Sequence, residues 1–215
     1  MVHSLAKGTL VTVEVTALAA VVGVLLSLVA GSLRSANSRL LRLPAAIYVE
    51  VFRGSSALAQ LYFIFFALPL VGVTFSPLVA GVLGLGLNFG SYGAEVVRGA
   101  LRSVPVGQRE AAVALNLPPA TRFFRVILPS AVPVMLPSLN NMLIDLLKNS
   151  ALVSTITISE LTFQGTLIRE NTGATLSVFA ILFVIYFALS SVIDAVMRLA
   201  ERRSNRALHS PVRTA

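Results

Sequence analysis

The 215-residue sequence has no cysteine, only two histidines, and little charge: Asp, Glu, Lys and Arg together make up 12% of it. Without Cys there is no disulfide framework, no thiolate zinc site and no thiol nucleophile. His3 and His209 lie near the two ends, which leaves no histidine cluster for a metal or for acid–base chemistry. Soluble domains carry about 25% charged residues, so roughly half the usual solvating surface is missing. What remains is apolar: 56% of residues are hydrophobic and the mean hydropathy is +0.85. Disorder, collagen and coiled coil do not tolerate that balance. A net charge of +8 in so apolar a chain points to orientation in a membrane rather than to nucleic acid. The sequence reads as an all-α integral membrane protein, one multi-pass domain over residues 1–215.

A helix needs roughly 20 mostly apolar residues to cross about 30 Å of hydrocarbon. About five segments qualify: residues 8–31, 55–75, 77–97, 131–147 and 176–197. The first is longer than the core of a secretory signal and holds Glu14, so it reads as a retained span. The fourth is short and polar, with Pro133, Pro137, Asn140, Asn141 and Asp145. The apolar stretch 151–158 is too short to cross and reads either as a continuation of the fourth span or as a short re-entrant helix.

Arginine sets the orientation. Arg34, Arg39 and Arg42 follow the first span; Arg98, Arg102, Arg109, Arg122 and Arg125 follow the third; Arg198, Arg202, Arg203, Arg206 and Arg213 follow the fifth. The opposite side carries only Lys7 and Arg169. This alternation predicts an N-terminus outside and a C-terminus in the cytoplasm, with 98–130 as a long cytoplasmic loop. Within the loop, Val106–Leu115 reads as a short helix and Ala120–Leu128 as a second. Between them Asn116 tolerates left-handed geometry and Pro118-Pro119 forbids simple continuation. Such a hairpin either lies on anionic headgroups or serves as a docking knob.

Within that loop Glu110-Ala111-Ala112, followed at a fixed distance by Val126-Ile127-Leu128-Pro129, resembles the EAA loop of ABC importer permeases. Asn116 stands at that pattern's glycine position and Val126 at its isoleucine position. Tyr48–Gly54, Ala94–Ala100 and Leu146–Ser154 are similar to segments of the polar amino-acid permeases, in the same order, with Asn149 where Asp is expected. The resemblance implies the architecture of a type I ABC importer permease in a bacterial inner membrane. It further implies that two permease chains, alike or homologous, pair around a pathway. Each EAA loop would then fit a cytoplasmic ATP-binding subunit, and an extracytoplasmic binding protein would deliver a polar amino acid. The coupling residues carried over are Glu110, Ala111, Ala112, Asn116, Val126, Leu128 and Pro129.

The chain's two lysines fit that division of labour. Lys7 precedes Gly8 and Lys148 precedes Asn149, so neither ends a phosphate-binding loop. ATP and Mg are therefore expected on the partner subunit, with no cofactor or metal on this chain and no enzyme activity of its own. The alternative is an ion-coupled secondary transporter acting without an ATPase. Against it, the sequence carries no evident inverted repeat.

Charges inside spans mark partners or water-filled cavities. Glu50 with Arg53, Glu95 with Arg98, and Asp145 with Lys148 each stand three apart, on one helix face. Asn141, Asp145 and Lys148 share a face of the fourth span; Asn88, Tyr92 and Glu95 share one of the third. These faces supply acceptors for an ammonium and donors for a carboxylate, and form the candidate substrate pathway; packing between helices is the competing role. Gly81, Gly84, Gly86 and Gly90 read as sites of close helix approach.

Overall fold

The computed structural model describes residues 2–36 and 38–208. His209 and Arg213 lie outside the described residues. Among these residues every element is helical. Helix α1 is Val2–Arg34, α2 is Arg39–Gly54, and α3 is Ala57–Tyr62, which continues as a π-turn Phe63–Ala67 and a 3-10 turn Leu68–Val71. Then come α4, Pro77–Ser103; α5, Val106–Ala114; and α6, Pro119–Arg122, which runs through a π-turn Phe123–Ile127 into α7, Leu128–Asn149. A 3-10 stretch Ser150–Ile156 extends α7, and α8, Leu161–Thr172, and α9, Thr175–Leu208, complete the fold.

By length and apolarity, three stretches can cross a membrane unaided: Val2–Arg34, Pro119–Ile156 and Thr175–Ser204. A fourth is possible where α2 and the α3 segment, bent by 107° at their junction, act together. The expected span 55–75 is therefore corrected. Its second half is broken by Pro69 and ends at Gly72, whose φ of +86° admits glycine readily. The segment before it, given no element in the sequence reading, is the amphipathic helix α2, of 16 residues. The expected span 77–97 is α4. At 27 residues it is long enough for about 40 Å, but glycines and the Asn88–Glu95 face dilute its apolarity. It is shielded instead by protein, with about half of its residues buried.

Both π-turns end directly before a Leu-Pro pair, Leu68-Pro69 and Leu128-Pro129, and in each the Leu N–H reaches back to the carbonyl of the first phenylalanine of the turn. A proline ring collides with the carbonyl four residues earlier; widening the preceding turn moves that carbonyl aside. Chain continuity is the result, which corrects the expectation of a separate second hairpin helix over Ala120–Leu128. The stretch 151–158 resolves as the 3-10 extension of α7, closed by Thr157 at φ +71°.

The most extensive packing joins α1 to α4, and small residues allow it. A Cβ on Gly86 would come within 2.9 Å of Val22, and one on Gly90 within 2.7 Å of Leu26 Cβ. Gly23 meets Phe89 and Gly31 meets Val97, so residue numbers rise together along the two helices and they run parallel. Arg34 and Arg98 consequently share one end of the bundle, with the α5–α6 segment beyond them. Near the opposite end, α8 docks on α1 through Glu160, which is fully buried. Its carboxylate caps α8 by accepting from the N–H groups of Thr162 and Phe163, each at 2.8 Å, and from the Tyr186 hydroxyl at 3.0 Å. Thr12 of α1 completes the joint by accepting from the Leu161 N–H at 3.1 Å.

Candidate functional site

Two regions carry chemistry. The first is the α5–α6 turn. Helix α5 ends as a Schellman motif: the Leu117 N–H bonds the Ala112 carbonyl at 3.2 Å and the Asn116 N–H bonds the Val113 carbonyl at 2.8 Å. This closure needs a left-handed residue at 116, and Asn116 has φ +51°. The left-handed backbone expected at Asn116 is met. The motif residues thus divide. Ala112 is buried inside the turn, at 3% exposure, while Glu110 and Ala111 face outward. Val106, Glu110 and Val113, at four- and three-residue spacing, form an exposed stripe with two valines at 66% and 55% exposure. Val126 is half-buried, Leu128 packs against the core, and Pro129, exposed, follows the π-turn. Arg109 donates to the Leu101 carbonyl and so ties α5 back to the end of α4.

The second region is a cleft of about 590 Å³ between α4, α7 and the α2–α3 junction. Asn88, Tyr92, Glu95 and Asp145, four of the six residues named for the candidate substrate pathway, line it. Asn141 and Lys148 are not on its wall; both are exposed on α7. Sequence reasoning missed Arg53, Ser55, Ser56 and Asn149, all on the wall. Their signal was weak, because a sharp bend between two helices brings the first three into the cleft. Apolar lining comes from Leu85, Phe89, Met142 and Leu146.

Of the three charge pairs expected along single helices, two form. Arg98 Nε is 3.0 Å from Glu95 Oε2, and Lys148 Nζ is 3.6 Å from Asp145 Oδ1. The Glu50–Arg53 pair is corrected: Glu50 bonds Arg34 of α1 at 3.4 Å. Arg34 also bonds Glu95, so it joins α1, α2 and α4 at one point, with its side chain only 15% exposed. No group of His, Asp or Glu able to hold a metal ion occurs among the described residues.

Residues 23–206 match the model of one family, described as the binding-protein-dependent transport system inner membrane component. The chain belongs to that family. A probable amino-acid ABC transporter permease protein from Sinorhizobium fredii is 39% identical over 94% of this chain and 87% of its own length. The L-cystine transport system permease protein of Bacillus subtilis is 34% identical over 94% of this chain and 87% of its own. Among solved structures, an amino acid ABC transporter crystallised with histidines superposes with a TM-score of 0.84 at 34% identity, over 94% of both chains. An inward-facing methionine ABC transporter shares the fold at 23% identity, with a TM-score of 0.81 over 95% of this chain and 97% of that one. The type I importer architecture expected from sequence is therefore met. An ABC permease accounts for these likenesses where an ion-coupled carrier does not.

Proposed function

We propose that this chain is the membrane-spanning subunit of an ATP-driven importer in a bacterial inner membrane, moving a polar amino acid delivered by an extracytoplasmic binding protein. The observation that carries the reading is the outward stripe of Val106, Glu110 and Val113 on a helix closed by its own Schellman turn. A rigid, partly apolar knob with one acid suits a groove on a cytoplasmic ATP-binding subunit. Movement of that knob passes through the hydrogen-bonded Schellman turn to α6, which continues into α7 and so reaches the cleft wall. The N-terminus faces outward and the C-terminus the cytoplasm, since the Arg34 and Arg98 ends of the parallel helices α1 and α4 carry the arginine-rich connections. ATP and Mg bind the partner subunit. A second permease chain pairs with this one, and lipid surrounds the pair.

Co-purification of the ATP-binding subunit with the intact permease, and its loss with Glu110→Arg, tests the docking. As a hot spot at the centre of the interface Glu110 would contribute ~2 kcal/mol or more, so on reversal retention should fall at least about tenfold. Equal retention by both proteins would move the docking site elsewhere.

A further inference from the structure

Arg53 lies in the last turn of α2 on the wall of the cleft. The acid three residues before it, Glu50, is taken by Arg34 at 3.4 Å. Glu95, the acid across the cleft wall, is held by Arg34 and Arg98. Arg53 makes no ion pair among the described residues. Its guanidinium stands over the Tyr92 ring, 5.4 Å from the centroid, and the Tyr92 hydroxyl donates to the Arg53 carbonyl at 3.4 Å. Stacking on an aromatic face leaves the in-plane N–H fork free, and that fork matches a carboxylate.

Asp145, on α7, lines the same cleft. Its bond to Lys148 is long, at 3.6 Å, with side chains 68% and 61% exposed. Exposed pairs of this kind are weak, and the carboxylate stays open to a second cation. Among the described residues the cleft wall thus offers one cation without an ion pair, Arg53, and one loosely held anion, Asp145, while Glu95 is held by Arg34 and Arg98.

We propose that Arg53 anchors the α-carboxylate of the transported amino acid and Asp145 receives its ammonium, so that the cleft selects zwitterions with an uncharged side chain. This rests on the cleft being the substrate's pathway. With Arg53 and Asp145 engaged, no unpaired charge remains among the described wall residues for an ionised side chain. The amides of Asn88 and Asn149 and the apolar groups of Phe89 and Met142 suit a neutral one.

The test uses the permease–ATPase complex in nanodiscs without the binding protein, so that the selectivity read is the cleft's own. Among L-glutamine, L-serine and L-methionine, the tightest-binding radiolabelled amino acid is competed by its methyl ester, which masks the carboxylate, and by its N-acetyl form, which masks the ammonium. The intact complex should prefer the free amino acid over both. Arg53→Gln should weaken binding about 10- to 100-fold and abolish the preference over the ester while keeping that over the N-acetyl form. Asp145→Asn should do the reverse, and Arg53→Lys should restore part of the affinity. An ester preference unchanged in Arg53→Gln would overturn the anchor alone. Lysine or glutamate bound more tightly than every neutral amino acid would overturn the selectivity. Binding of no amino acid by an assembled, ATP-hydrolysing complex would remove the cleft as the pathway and this proposal with it.

Discussion

At the scale of residues, each functional side chain depends on a neighbour that sets its geometry. Asn116 is the plainest case, because the turn needs a positive φ and asparagine supplies it at modest cost. Asn116→Val should strain the Schellman closure by about 1–2 kcal/mol, and Asn116→Gly should leave it intact. Hydrogen exchange at the Leu117 amide, which bonds Ala112, reads this directly: faster exchange in the valine variant and no acceleration in the glycine variant. Glu95 is the charge counterpart. Removing its carboxylate in Glu95→Gln leaves Arg34 and Arg98 sharing a neutral amide, and hydrogen bonds to charged groups contribute about 1.5–3 kcal/mol. Thermal unfolding of the purified protein should therefore shift downward, while Glu14→Gln, at an exposed position, should not move it. Equal midpoints for the two variants would show that the three-helix charge joint contributes nothing.

At the scale of elements, the α1–α4 pair holds the bundle together through contacts that exclude side chains. A Cβ on Gly90 would fall 2.6 Å from the Tyr48 hydroxyl, which is itself fixed by donating to the Leu87 carbonyl at 2.7 Å. Gly90→Val should cost about 1–3 kcal/mol through overpacking. Gly99→Ala, where nothing stands within 4 Å, should be silent in the same unfolding assay. Much of this level was legible in the sequence. The glycines, the short α5 helix and the Asn116 turn follow from local chemistry: small residues, helix formers, and a residue tolerant of left-handed backbone. The α2–α3 bend, the long α6–α7 rod and α8 were not. The bend is tied by Gln60, which donates to the Phe52 carbonyl and the Ser55 hydroxyl, each at 2.8 Å; in the rod a proline, and in α8 a single buried acid, decides the outcome. Pro129 kept the rod continuous by a π-turn, where a break was the simpler expectation, and Glu160 needs Thr12 and Tyr186 from distant segments to cap α8. Arg53 was misassigned for the same reason: helical spacing pairs it with Glu50, and only the packing of α1 beside α2 diverts Glu50 to Arg34.

At the scale of the whole molecule, the parallel course of α1 and α4 gathers the arginine-rich ends, the charge joint and the α5 knob on one side, with the cleft beside them. The cleft is joined to the knob from both sides, through α4, to whose end Arg109 ties α5, and through the continuous α6–α7 rod. As an ABC permease the chain takes its energy from ATP rather than from an ion gradient, and on the proposed reading that energy enters through the knob. Uptake of an amino acid into proteoliposomes measures that claim most directly, with the permease, its ATP-binding subunit and the binding protein reconstituted together. Uptake should require ATP on the side of the knob and the binding protein on the other, and should persist when ionophores collapse the proton and sodium gradients. Uptake that follows an imposed gradient, without ATP or the ATP-binding subunit, would contradict the account.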